Sequence, residues 1–87
     1  MALVDLNEIA DYISLDSPQA ARRVINRIEE VCFKLGDIPG MGRPSEVPPA
    51  LKLTVPPWNY KIVYEIGEAR DEVIILRIYH GARDLPY

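Results

Sequence analysis

Residues 73–79 near the C-terminus read Val-Ile-Ile-Leu-Arg-Ile-Tyr, an almost unbroken run of β-branched, aromatic and leucine side chains. That is the composition of a strand covered on both faces, so whatever the chain folds into must enclose it. One residue resists enclosure. Arg77 stands where a sheet interior would take another valine, and its guanidinium cannot shed its proton, so it needs water or an anion. Gly81 ends the run, and Ala82, Arg83 and Asp84 give a polar exit before Pro86.

With 87 residues the chain is expected to form one domain spanning 1–87, large enough for one core with little stability to spare. A net charge of −3 argues against a surface built to coat free nucleic acid. The charge is unevenly spread. Asp5, Glu8, Asp11 and Asp16 put four acids and no base into the first sixteen residues, so a cationic face elsewhere stays open to the chain. One cysteine, Cys32, rules out an internal disulfide, and one histidine beside it gives no basis for a structural zinc site or another cofactor. No apolar stretch reaches the length of a membrane span, and no signal-peptide pattern opens the chain; the expected location is cytoplasmic.

In chain order, Leu3, Leu6, Ile9, Ala10 and Ile13 fall at helical spacing, with Asp5, Glu8 and Asp11 mostly on the other side. Asp16 or Ser17 can cap a second helix and Pro18 fits its first position. Its stripe of Ala21, Val24, Ile25, Ile28, Val31, Cys32 and Leu35 predicts a helix to about Leu35, antiparallel to the first. Gly36 and the prolines at 39, 44, 48 and 49 then predict a long irregular loop. Three strands follow, at 51–55, 59–66 and 73–79, the last two joined as an antiparallel hairpin.

Strict alternation sorts the sheet into two faces. Leu51, Leu53 and Val55, Tyr60, Ile62, Tyr64 and Ile66, and Ile74, Leu76 and Ile78 are expected to face the helices. The opposite face then collects Lys52, Thr54, Lys61, Arg77 and Tyr79. Two readings stay open there. A solvated sheet face normally carries such residues, with Arg77 pairing Glu65; alternatively three cations converge to hold phosphate or carboxylate. His80, at the strand end, reads as a hydrogen-bonded surface residue or as a proton-transfer group. Trp58 reads as a packing anchor and Cys32 as a core residue.

Five segments in order, Asp5-Leu-Asn-Glu-Ile-Ala-Asp-Tyr-Ile13, Ala20-Ala-Arg-Arg-Val-Ile-Asn-Arg-Ile28, Pro39-Gly-Met-Gly-Arg-Pro44, Tyr60-Lys-Ile-Val-Tyr64 and residues 73–84, resemble the RelE/ParE toxins of type II toxin-antitoxin systems. The resemblance implies an α+β fold, a helical hairpin packed on one face of a three-stranded antiparallel sheet, and a cognate antitoxin that wraps it. Members usually carry a β-strand ahead of the first helix, and here the chain opens at that helix. The resemblance therefore implies an exposed sheet edge, and with it either a homodimer formed through that edge or marginal stability.

Two activities compete within the family. RelE-like members resemble ribosome-dependent mRNA endonucleases, in which Lys52, Lys61 and Arg77 would stabilise charge and His80 or Tyr87 would move protons. Lys61 stands where an arginine is common, and Gly81-Ala82 stands where those ribonucleases carry basic residues. ParE-like members resemble poisons of DNA gyrase, often in plasmid-stabilising modules, without catalysis of their own. The His-Gly-Ala-Arg-Asp ending looks more like that branch, with Arg83, Tyr79, Tyr87 and Arg43 as candidate target contacts. An inactive relic that only binds antitoxin is the third reading.

Overall fold

The computed structural model describes residues 2–68 and 72–83. Helix α1, Ala2–Ser14, turns back into α2, Pro18–Asp37, and a single 3-10 turn at Pro39–Met41 leads to the sheet. The strands are β1 (Arg43–Pro44), β2 (Leu51–Val55), β3 (Tyr60–Ile66) and β4 (Val73–His80), in the order β1-β2-β3-β4 with every pair antiparallel. The fold is α+β, as expected, with one short strand more than expected.

Local chemistry accounts for the helix boundaries. Ser17 is extended and its Oγ accepts the Ala20 N–H at 3.1 Å, while Pro18 occupies the first turn, where a missing N–H costs nothing. The other end of α2 lies two residues beyond the expected stop at Leu35. Gly36 is tolerated in a helix; Pro39 is the real terminator, because the residue before a proline is pushed out of the helical region. Ile38 accordingly sits at φ −129 and ψ 76, with its N–H still bonded to the Lys34 carbonyl at 2.8 Å.

The loop expected at 36–49 is ordered by one buried phenol. Tyr64 is fully buried; its hydroxyl donates to the Pro39 carbonyl at 2.6 Å and accepts the Gly42 N–H at 2.8 Å. A side chain at Gly42 would collide with that ring, its Cβ falling 2.5 Å from the Tyr64 hydroxyl. The chain then adds β1 beside β2 through Arg43 opposite Lys52 and Pro44 opposite Leu51. Pro44 is compatible with this because β1 is an edge strand. Ser45 donates its N–H to the Ala50 carbonyl at 2.9 Å and closes the turn.

The main core lies between the helices and the sheet. Val24, Ile28, Val31 and Leu35 of α2 meet Val55, Ile62, Tyr64 and Ile78, with Leu6, Ile9 and Ile13 of α1 and Trp58 packed against them. Cys32 is half-buried on the same side, and burial, then the charge of Glu29, pushes its thiol pKa up.

The strict alternation expected for β4 fails at one point. Val63 stands opposite Arg77 but Tyr64 stands opposite Ile75, so Leu76 is an extra residue, a β-bulge. The bulge exchanges the faces of the strand's first half. Val73 and Ile75, expected to point outward, pack into the main core, whereas Leu76, expected inward, joins Ala50, Val63 and Tyr79 in a second small cluster on the outer face. Ile74 shares the loss and is 42% exposed, and Ile66 at the end of β3, also expected inward, is 40% exposed.

Truncating Ile28, which is completely buried, to alanine should cost about 2 to 5 kcal/mol, measured as a lower urea midpoint. Tyr64→Phe should cost about 1 to 3 kcal/mol by orphaning the Gly42 N–H and the Pro39 carbonyl. Ring-shape retention makes the loss specific to the hydroxyl, and proteolysis should open first within 39–50.

Candidate functional site

Arg77 is not on an open basic face. Its Nε donates to Asp5 Oδ2 at 2.8 Å and its second nitrogen to Asp5 Oδ1 at 3.2 Å, a two-point ion pair between β4 and α1. Asp5 is only 4% exposed, and Oδ2 also accepts the Ile78 N–H at 3.0 Å. A carboxylate expected on the polar side of α1 is therefore buried against the sheet. Glu65, the partner expected for Arg77 on a solvated face, stands opposite Ile74 instead.

Burial alone would raise the Asp5 carboxyl. The hydrogen bonds from Arg77 and from the Ile78 amide, with the guanidinium charge, outweigh it and hold the pKa below the ordinary 3.8.

The other candidates divide among three places. Lys52, Thr54 and Lys61 lie on the outer face, as alternation predicts, and Lys61 Nζ donates to Thr54 Oγ1 at 2.8 Å. Tyr79 shares that face, but its ring is buried with Ala50 and Val63 instead of lying open. Arg43 is exposed on β1, directly opposite Lys52. His80 stands in the row of Tyr60, on the helix side; the two rings meet edge to face at 5.2 Å and 86°. His80 Nδ1 accepts the Ala82 N–H at 3.1 Å, so the neutral ring carries its proton on Nε2. Tyr87 lies outside the described residues. Arg77, His80 and the two lysines thus do not face one common point.

A cleft of about 630 Å³ runs between α1 and the outer edge of β4, lined by Asp5, Glu8, Ile9 and Tyr12 on one side and Tyr60, Ile78, Tyr79, His80 and Arg83 on the other. Arg83 is brought there by the turn that follows β4, in which its N–H bonds the His80 carbonyl at 3.0 Å. Gly81 makes that turn possible. Its N–H bonds the Asn59 carbonyl at 2.8 Å, and a Cβ would lie 2.5 Å from the Asn59 amide nitrogen. Asn59 itself holds the left-handed φ of 63. Asp5, Glu8, Tyr12 and Tyr60 were not singled out from the sequence; the available signal was the spacing 5, 8, 12, which puts three polar groups on one helical stripe. Among the described residues no three His, Cys, Asp or Glu side chains are grouped as a metal site requires. No helix of the described residues is long and apolar enough to cross a membrane.

Comparison with known proteins agrees with this architecture. Residues 1–85 match the family described as the ParE toxin of type II toxin-antitoxin systems, parDE. The toxin-named protein Y4kP of Sinorhizobium fredii is 35% identical over 98% of this chain and 85% of its own length. Toxin RelE2 of Caulobacter vibrioides is 38% identical over 94% of this chain and 89% of its own. A chain in the solved structure of the chromosomal ParDE TA system of P. aeruginosa superposes with a TM-score of 0.77 at 34% identity, over 91% of this chain and 86% of that one. Fold and sequence together define a toxin of the RelE/ParE class. Within that class, the chain belongs to the ParE toxin family of type II toxin-antitoxin systems.

Replacing Asp5 by alanine should cost about 3 kcal/mol, toward the lower end for a broken buried pair, because the Arg77 side chain keeps 26% of its surface in water. The depressed carboxyl also sets the sign of the acid response. Its contribution is complete above the unfolded pKa near 3.8 and is lost as pH falls through the lower folded value. The urea midpoints of wild type and Asp5→Asn should therefore differ fully above about pH 4 and draw together as pH falls further below it, through the lower folded pKa.

Proposed function

We propose that this ParE-family toxin arrests growth by acting on DNA gyrase, with no bond-making step of its own, and that a cognate antitoxin restrains it. The observation that carries the reading is the dispersal of the four candidate catalytic groups. Scission of RNA needs a base, an acid and a cation within reach of one phosphate. Here Arg77 is bound to Asp5, His80 lies on the helix side of the sheet, and Lys52 and Lys61 lie on the opposite face. A protein that stabilises a state of its target needs a contact surface only. The exposed Arg43 and Arg83 are the proposed cationic contacts. The name of the P. aeruginosa assembly supports an antitoxin partner, and Asp5 already takes the Ile78 amide on the β4 edge where a second copy would pair.

Purified protein at micromolar concentration should inhibit gyrase supercoiling and accumulate cleaved plasmid. Growth arrest on expression should persist in the double variant Lys52→Ala, Lys61→Ala and be relieved by the neighbouring antitoxin gene. Codon-positioned mRNA cleavage that disappears in the double variant would replace this reading with the ribonuclease one. Absence of arrest by well-folded protein would leave an antitoxin-binding relic.

A further inference from the structure

We propose that two copies of this chain pair through the outward ridge of α2, antiparallel about a two-fold axis at Asn26, with Phe33 of each copy seated in the hollow that Gln19, Arg22, Arg23 and Asn26 form on the other. The pairing uses no strand of the sheet and goes beyond the choice of cellular target.

The hollow and the side chain that fits it lie on one helix face. Gln19, Arg22, Arg23 and Asn26 are exposed at spacing i, i+3, i+4 and i+7, and they line a shallow depression of about 340 Å³. Four residues of one helix form the hole that a knob from a facing helix enters. Phe33 stands seven residues beyond Asn26 on the same stripe, turned away from the buried Val24, Ile28, Val31 and Leu35, and is 84% exposed. A single exposed phenylalanine needs no explanation by itself. What gives this one meaning is that a single register places it. With Asn26 on the axis, Phe33 of one copy comes level with Gln19 of the other, and its ring leans toward its own N-terminus, hence toward the other copy's Arg22 and Arg23.

Charge selects the same arrangement. Arg22 and Arg23 occupy the first half of the ridge, Glu29 and Glu30 the second. The axis at Asn26 sets Arg22 of one copy beside Glu29 of the other and Arg23 beside Glu30, whereas a parallel pair would set like against like. Among the described residues the side chains of Arg22, Arg23 and Glu29 make no hydrogen bond or ion pair, and Glu30 meets Arg27 at 2.9 Å in an exposed contact. Asn26 can both donate and accept, so the two amides can bond each other across the axis and fix the register.

The order of these charges is also unfavourable in an isolated helix, whose macrodipole favours acids at the start and bases at the end. Helix α2 has no acid in its first turn and finishes on Asp37. Antiparallel pairing lays each acidic half beside the other copy's basic half and N-terminus, which offsets that cost.

One helix against one helix buries less than the roughly 800 Å² per partner of a standard interface, so the dimer is weak. Sedimentation velocity on the full chain, from about 1 to about 200 µM, should give a dissociation constant on the order of 10 µM at low salt, weakened about tenfold at about 0.5 M NaCl. The double variant Arg22→Glu, Arg23→Glu and the double variant Glu29→Arg, Glu30→Arg should each stay monomeric, and their mixture should associate, because each supplies the charge the other lacks. Phe33→Ser should weaken association at least about tenfold while leaving the urea midpoint at about 1 µM unchanged, since the ring is exposed in the single copy. Asn26→Cys should cross-link to a covalent dimer under oxidised glutathione, which the wild type with its half-buried Cys32 should not. A wild type that is monomeric throughout the range, a dimer that survives either charge variant or Phe33→Ser, or a mixture that fails to associate would overturn the pairing. No gyrase is present in these measurements, so their failure leaves the proposed target standing.

Discussion

The pairing of Asp5 with Arg77 is the contact on which the arrangement of helix and sheet depends. One carboxylate accepts two N–H groups of a guanidinium fork and the amide of Ile78, so a single side chain satisfies the charge and an outward backbone donor of an edge strand. Burying either charge alone would be costly; burying them together, with the remaining lone pair used, makes the seat of α1 on β4 specific in register. The contact also converts an arginine that looks like a functional group into a structural one.

The bulge at Leu76 belongs to the same solution. Two residues of β4, Leu76 and Arg77, share the space opposite one residue of β3, Val63, and the strand changes which side it shows to the helices. Before the bulge Val73 and Ile75 fill the main core; after it Ile78 does. The outer face gains an apolar centre of Ala50, Val63, Leu76 and Tyr79 that separates its flanking lysines from the helix side. The cations that a flat sheet would gather are thus divided between the outer face, which keeps Lys52 and Lys61, and the contact with α1, which takes Arg77.

Much of this was legible from the residues themselves. Helical periodicity gave both helices, Ser17 and Pro18 gave the start of the second, and Leu51, Leu53 and Val55 gave the inner face of β2. Proline and glycine clusters marked the long loop. What escaped had non-local causes. β1 is two residues long and exists because Tyr64, more than twenty positions away, holds Pro39 and Gly42 in place. The bulge leaves no trace in composition, since the four apolar residues Val73, Ile74, Ile75 and Leu76 read the same in either phase. Asp5 reads like any acid on the solvated side of a helix, because the arginine that buries it is remote in the chain. The cleft shares this origin, being built from an N-terminal helix and a C-terminal turn whose proximity no spacing rule reveals.

The two partners of the buried pair are 72 positions apart. During synthesis the first helix therefore emerges long before the residue that will neutralise its buried acid, and the helical hairpin must wait, half-finished, for β4 to leave the ribosome. Prematurely terminated chains lack that closing contact altogether. In this toxin-family chain the seat of the first helix is therefore set only once residue 77 has been made.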